Sequence, residues 1–468
     1  MRKTLKQSTF PAAQRLNDDA ATTAIIGMGK TGHAVARFLL EKGIDCAAFD
    51  ESNSASGNMP ADLRIELHIG QLNAKILQHF SRIIVSPGVN WHHPALEELR
   101  LANVPMYGDL ELFAQHYHGN LIAITGTNGK TTTVSLIATM LDILPGGIEA
   151  GGNIGTPMLD LLVDGEGPQR VVLELSSFQL ERANPIHPQW AALLNVQPDH
   201  ADMHEDASAY KAAKLSLFAR QGEGDKAMLP ADGEWDELAE ELTARGAYVR
   251  RFGVGSSKDL DAGIEPLSDG SWQVFWHHYD TAQTAVSGTL QLRGKHQHLN
   301  LAVAAQAAAD FGVSAEVIHQ SLTSFRGLPH RIQSLGIVAG REWFNDSKAT
   351  NPDAAGAALT SFHQCVWICG GLRKGLDVLT LKELISDHVE QIFVIGTDPN
   401  PYVELAELAG VPSLFVKTMD QAVKQAAHAQ PGLPVLLSPA AASQDQYRDY
   451  VERGLDFAKE VKALDKKS

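Results

Sequence analysis

The chain has 468 residues, of which 44% are hydrophobic, so it is long enough for about three domains with packed cores. Its formal net charge of −16 argues against non-specific nucleic-acid binding, which normally requires a basic face. The three cysteines, Cys46, Cys365 and Cys369, have no paired spacing and indicate neither a disulfide framework nor a zinc site. No stretch approaches a membrane span and the start has no apolar signal core, so we expect a soluble, cytoplasmic enzyme.

The order of predicted strands and helices divides the chain into four parts. Residues 1–20 form a polar lead-in, and residues 21–107, 108–326 and 327–468 form three predicted domains. In each domain, strands alternate with helical patterns, which predicts an α/β fold built on mostly parallel sheets. We expect a Rossmann-like first domain, a central domain like the P-loop ATPases, and a Rossmann-like last domain.

The first domain begins with a pattern typical of nucleotide binding. A predicted strand at residues 22–26 leads into the turn 27–32, which reads Gly-x-Gly-x-x-Gly, and a second strand ends at Asp50, eighteen positions further on. This fingerprint favours a dinucleotide and hence an NAD-dependent dehydrogenase. The alternatives are another nucleotide diphosphate, because the turn contacts a pyrophosphate and not a nicotinamide, or a tight turn without a ligand.

A third predicted strand, at residues 82–85, ends in Ser-Pro-Gly-Val at 86–89. Ligands of open α/β sheets bind at the carboxyl ends of the strands, so this loop is a candidate contact. The other interpretation is that Ser-Pro-Gly only forms a turn.

Residues 122–132 predict a strand, a phosphate-binding loop and the start of a helix. Small residues let backbone N–H groups approach phosphate oxygens, and the helix N-terminus adds its positive end. Lys130 can reach the β- and γ-phosphates of ATP, and Thr131 or Thr132 can ligate Mg²⁺. The loop is shorter than the standard pattern, which would require a glycine at Ile124.

Three polar side chains further along the central domain are candidates for the same site. Glu174 interrupts an apolar strand, where a carboxylate is costly unless it is paired or bound to metal. The alternative is a carboxylate on a half-exposed strand face. Asn153 lies in a glycine-rich turn and either contacts a substrate or belongs to a plain loop. His200, after the strand at 191–196, suits Mg²⁺ or a γ-phosphate, although a single loop histidine is usually only solvated.

Two other stretches of the central domain give weaker signals. Lys214 follows Tyr210 in the opening of a predicted helix, and on sequence physics alone it would be a surface lysine. The polar residues 292–300 precede an alanine-rich helix at 301–311. They either contact an adenine ring or form a polar cluster at the helix N-terminus.

The last domain places cationic and hydroxyl side chains in loops after predicted strands. These strands are at residues 366–368, 392–395, 413–416 and 435–437. Arg331, in the linker before them, can fork onto a phosphate. Lys374, in a glycine-rich loop, or a helix start near Ser443 can hold a carboxylate.

Taken together, these stretches resemble the Mur ligases, the ATP-dependent amide-forming enzymes of peptidoglycan precursor synthesis. The resemblance covers nearly the whole chain past residue 20, and its most specific pieces are residues 125–132, 151–155, 174–181, 195–200, 328–331 and 345–351. The short phosphate loop is the form found in this family.

Within the family, the chain is most similar to the members that add D-glutamate. Residues 86–89, 345–351 and 437–447 carry this likeness, and the Asp-Asn-Pro-Arg stretch of the diaminopimelate-adding members is absent. Two positions depart from the pattern. Gln297 stands where the family usually has an asparagine, and Ala441 stands where a cysteine is common.

The resemblance implies a reaction through an acyl phosphate. The γ-phosphoryl group of ATP goes to the carboxylate of UDP-N-acetylmuramoyl-L-alanine, the amine of D-glutamate attacks, and phosphate leaves. The first domain then binds the uridine nucleotide and not NAD. The remaining alternatives are another Mur ligase, a folylpolyglutamate synthase-like enzyme, a dehydrogenase and a non-enzymatic nucleotide switch.

The resemblance also implies roles for individual residues. The ATP-binding set comprises Gly126, Thr127, Asn128, Gly129, Lys130, Thr131, Thr132, Asn300, Arg331 and Asp346. The set for the UDP substrate comprises Gly29, Thr31, Asp50, Ser86, Gly88, Asn153, Ser176 and Gln179. The D-glutamate set comprises Lys348, Thr350, Lys374, Ser443 and Tyr450.

The catalytic residues implied by the resemblance are Lys130, His200 and Lys214. Two Mg²⁺ ions are expected, held by Thr131, Glu174, His200 and Lys214. Lys214 matches a lysine that the family carbamylates, and a carbamate is an anion able to ligate Mg²⁺. We expect a monomer that acts on small molecules, without a nucleic-acid partner.

Overall fold

The computed structural model describes residues 22–464 except 54, 56–59, 61–62, 154, 164, 166, 198–205, 280 and 293. The predicted lead-in, residues 1–20, and His200 lie outside the described residues. Three α/β domains, each built around one mostly parallel sheet, confirm the predicted fold class. Within the described part of the chain, no helix has the length and apolar character needed to cross a membrane.

The first sheet has five parallel strands in the order β3-β2-β1-β4-β5. They are β1 Thr23–Ile26, β2 Cys46–Asp50, β3 Glu66–Ile69, β4 Arg82–Val85 and β5 Met106–Tyr107. Among the described residues of this domain, the helices with defined bounds are Lys30–Glu41, Ala74–Leu77 and Pro94–Leu101. The strand order reverses between β1 and β4, so the glycine turn after β1 and the loop after β4 lie side by side.

The central sheet has nine strands in the order β14-β13-β12-β11-β10-β9-β6-β8-β7. They are β6 Asn120–Thr125, β7 Glu149–Gly152, β8 Arg170–Glu174, β9 Trp190–Leu193, β10 Lys226–Pro230, β11 Tyr248–Val254, β12 Ala262–Pro266, β13 Trp272–His278 and β14 Thr281–Val286. Neighbouring strands are parallel except that β13 is antiparallel to β12 and β14. Since β6 lies between β8 and β9, loops from all three strands meet at one edge.

Helices cover both faces of the central sheet. They are Asp109–His116, Lys130–Leu141, Ser177–Glu181, Ala207–Leu215, Asp236–Ala244, Lys295–Asp310 and Ala315–Ser324, with short 3₁₀ turns at Met158–Leu162, Ser216–Phe218 and Ser287–Thr289. The helix Lys295–Asp310 is buried along most of its length, because its many alanines let it pack closely against helix Lys130–Leu141 and strands β12 and β13.

The third sheet has six strands in the order β15-β16-β20-β17-β18-β19, of which only β15 is antiparallel to its neighbour. They are β15 Gln333–Val338, β16 Arg341–Asn345, β17 Cys365–Cys369, β18 Val389–Ile395, β19 Ser413–Lys417 and β20 Val435–Leu437. The helices are Pro352–Leu359, Lys382–His388, Asn400–Ala409, Met419–His428 and Tyr450–Leu464, with a 3₁₀ turn at Val378–Leu381.

The first and central domains share one hydrophobic core. Side chains such as Phe38 of the first domain and Phe113 of the central domain belong to the same buried cluster. The third domain packs around clusters of its own, which contain Trp367 and Trp343.

Three predicted helix starts are wrong. The alanine-rich helix predicted at residues 301–311 begins at Lys295, so Asn300 lies within the helix and does not precede it. Asp206 accepts a hydrogen bond from the Ala209 N–H at 2.7 Å and starts the helix Ala207–Leu215 there, so Lys214 lies at its end and not in its opening. The predicted helix near Ser443 begins only at Tyr450. The loop that precedes this helix pairs with another segment through an isolated β-bridge between Leu372 and Ala442.

A buried ionic network in the central domain gives a test of packing. The side chain of Asp310 is only 3% exposed and contacts both Arg250 at 2.6 Å and Lys226 at 3.2 Å. We expect Asp310→Ala to lower the free energy of unfolding by about 3 kcal/mol, because two cations lose their buried partner. Urea unfolding followed by fluorescence measures this loss. The matched control is Lys424→Ala in an exposed pair with Asp420, for which we expect less than about 0.5 kcal/mol. Equal losses in the two variants would contradict the prediction.

Candidate active site

The phosphate loop follows β6 and has a backbone that requires glycine at two positions. Gly126 and Gly129 have φ values of +151° and +88°, which side-chain-bearing residues rarely adopt. A Cβ on Gly129 would lie 2.4 Å from the side-chain oxygen of Asn300. The Lys130 ammonium donates to the carbonyl oxygens of Gly126 at 2.7 Å and Thr127 at 2.9 Å. The loop is therefore folded back around its own lysine.

Asn195, which the sequence analysis did not single out as a site residue, holds the tip of this loop. Its side-chain oxygen accepts the Asn128 N–H at 2.8 Å, and its amide donates to the Asn128 carbonyl at 3.0 Å. The Asn195 carbonyl also accepts the Thr127 N–H at 3.0 Å. The position of Asn195, two residues after the buried strand β9, could have identified it, because neighbouring parallel strands end at the same edge of the sheet.

Glu174 is the last residue of β8, next to the phosphate loop, and is only 3% exposed. This burial excludes the alternative interpretation, in which the Glu174 carboxylate lies on a half-exposed strand face. Its carboxylate accepts the Thr131 hydroxyl at 2.8 Å and the Asn153 amide at 3.4 Å, and Arg331 donates to the same Thr131 hydroxyl. Carboxylate and hydroxyl oxygens are the ligands that Mg²⁺ prefers, so this pair fits the ion. The described residues contain no group of three or more acidic, His or Cys ligands.

Lys214 is buried beside the phosphate loop and is not a surface lysine. Only 2% of the residue is exposed, although it lies on a short amphipathic helix. Its ammonium donates to the Gly126 carbonyl at 3.0 Å and lies 4.4 Å from the centre of the Tyr210 ring. The side chain therefore reaches the cleft from the end of its helix.

The opposite wall comes from the third domain, where β16, β20 and β17 end together. Burial raises the pKa of Asp346 to about 7, although its carboxylate accepts hydrogen bonds from the Ser438 hydroxyl and the Ile332 N–H. Burial also lowers the pKa of Lys348 to about 8, and the charges of Arg331 and Lys130 act in the same direction. An anion bound beside Lys348 would reverse this effect.

These side chains face one cleft of about 730 Å³ between the central and third domains. The predicted site residues that line it are Gly126, Thr127, Asn128, Gly129, Lys130, Thr131, Thr132, Asn153, Glu174, Ser176, Lys214, Asn300, Arg331, Asp346, Lys348, Thr350 and Lys374. Gln297 lines it too, and its buried side-chain oxygen has no hydrogen-bond partner among the described residues. The structure thus brings together most of the predicted ATP, metal and D-glutamate residues.

Two predicted D-glutamate residues lie behind this wall. Ser443 is 1% exposed, and its hydroxyl has no hydrogen-bond partner among the described residues. Tyr450 starts the last helix, with its ring 4.2 Å from the Lys348 ammonium. Tyr450 therefore contacts the lysine, and neither residue belongs to the lining of the cleft.

Five of the eight residues predicted for the UDP substrate form a separate group at the switch point of the first sheet: Gly29, Thr31, Asp50, Ser86 and Gly88. The Asp50 carboxylate accepts the Met28 N–H at 2.6 Å, and the Ser86 hydroxyl donates to the Gly27 carbonyl at 2.7 Å. A Cβ on Gly29 or Gly88 would have no neighbour within 4 Å, so packing does not require glycine there. Both glycines are exposed. Thr31 lies in the first turn of the helix that follows.

Ser176 and Gln179 form a capping box at the start of helix Ser177–Glu181. The Gln179 side-chain oxygen accepts the Ser176 N–H at 3.1 Å, and its amide donates to Asp109 at 3.3 Å. Burial raises the pKa of Asp109 to about 6. The Gln179 side chain thus already has partners within the protein, and its predicted substrate contact stays a prediction.

Three sequence models of Mur ligase domains match the chain in order. The Mur ligase MurD-like N-terminal domain matches residues 21–108, the Mur ligase middle domain matches residues 124–308, and the Mur ligase glutamate ligase domain matches residues 330–441. Together they cover all three sheets.

Curated relatives match the chain from end to end. The UDP-N-acetylmuramoylalanine–D-glutamate ligase of Methylococcus capsulatus is 36% identical over 96% of this chain and 96% of its own. The enzyme of the same name from Hahella chejuensis is 36% identical over 94% of this chain and 98% of its own. Among solved structures, the UDP-N-acetylmuramate–alanine ligase MurC of Thermotoga maritima shares the fold. Its TM-score is 0.59 at 18% identity, over 95% of this chain and 99% of that one.

A phosphate loop facing a buried carboxylate, with a third domain closing the cleft, defines a nucleotide-dependent ligase of the α/β class. The chain belongs to the Mur ligase family, whose members use ATP and Mg²⁺ to form amide bonds.

Proposed function

We propose that this protein joins D-glutamate to UDP-N-acetylmuramoyl-L-alanine, with conversion of ATP to ADP and phosphate, in peptidoglycan precursor synthesis. The observation that carries the proposal is the cleft in which the phosphate loop of the central domain faces Lys348 and Lys374 of the third domain. The names of the full-length relatives support the same reaction.

ATP is proposed to bind along the phosphate loop. The glycine backbone of residues 126–129 and the start of helix Lys130–Leu141 offer N–H groups to its phosphates. Arg331 and Asp346 approach from the third domain, and Asn300 supports the loop beneath Gly129. Arg331 donates a hydrogen bond to Thr131 across the domain boundary. A nucleotide bound to both residues would therefore also connect the two domains.

Two Mg²⁺ ions are proposed at Thr131, Glu174, His200 and a carbamate on Lys214. Bound there, the ions would neutralise charge on the phosphates. Glu174 and Thr131 are already in contact. The buried ammonium of Lys214 would repel a divalent cation, whereas a carbamate on the same nitrogen would attract one.

The first domain is proposed to hold the uridine nucleotide, with Gly29, Thr31 and the loop 86–89 at its diphosphate. Asp50 orients the turn by accepting the Met28 N–H. Asn153 and Ser176 line the cleft at the phosphate loop, and the muramoyl-alanine end of the substrate is proposed to lie beside them.

The proposed reaction has two steps. In the first, a carboxylate oxygen of the substrate forms a bond to the γ-phosphorus of ATP, and the bond to the ADP oxygen breaks. In the second, the amine nitrogen of D-glutamate bonds to the carbonyl carbon, phosphate leaves with the C–O electron pair, and a proton leaves the nitrogen. Lys130 stabilises the charge of the transferring phosphoryl group, so the protein contributes mainly positioning and electrostatics.

Some further properties complete the proposal. The domains divide at residues 107/108 and 326/327, and the enzyme acts as a monomer in the cytoplasm, where ATP is available.

We expect D-glutamate to be preferred over L-glutamate, L-lysine and meso-diaminopimelate in a side-by-side assay. D-glutamate brings two carboxylates, and Lys374 and Lys348 with Thr350 supply donors from two separate loops. Lys374→Ala should raise the KM for D-glutamate at least about tenfold, with the KM for ATP unchanged, because one carboxylate loses a charged partner.

The matched control for Lys374→Ala is Arg373→Ala. Arg373 is the neighbouring cation, but it pairs with Asp398 at 3.1 Å and does not line the cleft. Its removal should leave the KM for D-glutamate unchanged. Preference for L-lysine or meso-diaminopimelate would place the chain on another branch of the family.

We expect UDP-N-acetylmuramoyl-L-alanine to raise the melting temperature and NAD and NADP to leave it unchanged. A ligand stabilises the folded state in proportion to the logarithm of its concentration over its Kd. The turn at residues 27–32 alone does not choose between these ligands. A thermal-shift series over ligand concentration makes the choice: stabilisation by NAD without stabilisation by the uridine nucleotide would favour a dehydrogenase.

A further inference from the structure

Arg182 reaches from the central domain into the first domain. It directly follows helix Ser177–Glu181 and is 3% exposed. One guanidinium nitrogen donates to the Ser86 carbonyl at 2.5 Å, and another donates to the Val89 carbonyl at 2.6 Å. A single side chain therefore bonds both ends of the 86–89 loop.

The 86–89 loop is in turn packed against the glycine turn. The Ser86 hydroxyl donates to the Gly27 carbonyl at 2.7 Å. A Cβ on Gly27 would lie 2.6 Å from a methyl group of Val89, so the two segments are as close as a glycine allows. A shift of the 86–89 loop would therefore change the shape of the site that this loop and the glycine turn are proposed to form for the UDP diphosphate.

Arg182 makes two further contacts, one in each domain. Its carbonyl accepts the Gly108 N–H at 2.9 Å, and its guanidinium lies 5.3 Å from the centre of the Trp91 ring. The same segment begins with Glu174 at the phosphate loop and continues through the capping box of Gln179. One short stretch of chain thus connects the ATP-facing carboxylate to the loop of the first domain.

We infer that Arg182 is a positioning residue for the uridine-nucleotide substrate. It acts through the 86–89 loop and does not touch the reacting atoms. The inference rests on the proposed function, in which that loop contacts the UDP diphosphate. Two hydrogen bonds from one planar cation hold the loop at both ends, which neither a lysine nor a neutral side chain reproduces.

The test measures binding of UDP-N-acetylmuramoyl-L-alanine to the full chain by titration calorimetry, without ATP. Arg182→Met keeps an apolar stem beside Trp91 but removes both donors. We expect its Kd for this nucleotide to rise about tenfold or more, with the KM for ATP unchanged. A residue with a merely structural role would lower the melting temperature without separating these two constants.

The matched control is Arg100→Met. The Arg100 guanidinium lies 5.2 Å from the same Trp91 ring and donates to the Trp91 carbonyl at 3.1 Å, without contacting the 86–89 loop. Its Kd should stay that of the wild type. If Arg182→Met does not fold, Arg182→Lys takes its place. A smaller rise in Kd is then expected, because the ammonium keeps one charged donor near the loop but cannot match the paired geometry of the guanidinium.

The outcomes separate this inference from the proposed function. Wild-type protein that does not bind the nucleotide would overturn the proposed function. Wild-type binding together with an unchanged Kd in a folded Arg182 variant would overturn the role of Arg182 alone. An equal rise in Kd for Arg100→Met would also count against it, because the effect would then follow from packing on Trp91.

Discussion

Lys130→Ala is expected to yield a folded protein that has lost at least about a hundredfold in kcat, because the charge facing the transferring phosphoryl group is removed. A lost electrostatic clamp of this kind costs about 3 kcal/mol or more of barrier. The fold should persist, since the Lys130 ammonium donates hydrogen bonds to the Gly126 and Thr127 carbonyl oxygens of its own loop. Steady-state phosphate release measures the activity, and circular dichroism measures the fold.

Lys382→Ala is the matched control for Lys130→Ala. Lys382 also begins a helix, Lys382–His388, but it is exposed and lies outside the cleft. Its removal should leave kcat unchanged. Near-normal turnover of a folded Lys130→Ala protein would contradict the assignment of residues 126–132 as the loop that binds the phosphates of ATP.

Lys214→Ala is expected to lose most of its activity and to recover part of it when acetate or formate is added. A short carboxylate can enter the space of the missing side chain and supply the negative charge that we propose for the carbamate. The buried position of the Lys214 nitrogen, 3.0 Å from the Gly126 carbonyl, places this charge at the phosphate loop. Activity is measured against carboxylate concentration, and the intact mass of the wild type is measured before and after acid treatment.

The matched control lies one turn earlier on the same helix. Lys211 is partly exposed, pairs with Glu234 at 2.7 Å and does not line the cleft, so Lys211→Ala should keep its activity and show no response to added carboxylate. Two results would count against the carbamate: full activity of Lys214→Ala without added acid, and electron density for a bare ammonium beside bound nucleotide and metal.

Local sequence was sufficient where the structure depends on neighbours in the chain. The phosphate loop at residues 126–132 could be predicted because strand, glycines, lysine and helix follow one another directly. The alternation of strands and helices likewise predicted the α/β class. Glu174 was identified because an ionisable residue inside an apolar strand is unusual whatever surrounds it.

Helix boundaries were predicted less well where a distant contact replaces a local signal. The loop before Tyr450 pairs through Ala442 with Leu372, about seventy residues earlier in the chain, and no local pattern reveals that partner. For the same reason, the sequence did not indicate that Ser443 lies buried behind the cleft wall.

The sequence by itself therefore determined the three α/β domains and, through its resemblance, the Mur ligase family. Only the tertiary structure decided which cations are buried at the site. Lys214 looks like a surface lysine on its helix, and Arg182 looks like an ordinary residue at a helix end. The Lys214 ammonium contacts Gly126, nearly ninety residues earlier in the chain, and the Arg182 guanidinium contacts Ser86, more than ninety residues earlier. These distant contacts distinguish the two cations from ordinary surface residues. Packing within the central domain sets the first contact, and packing between the central and first domains sets the second; such packing leaves no mark on the adjacent residues of the chain.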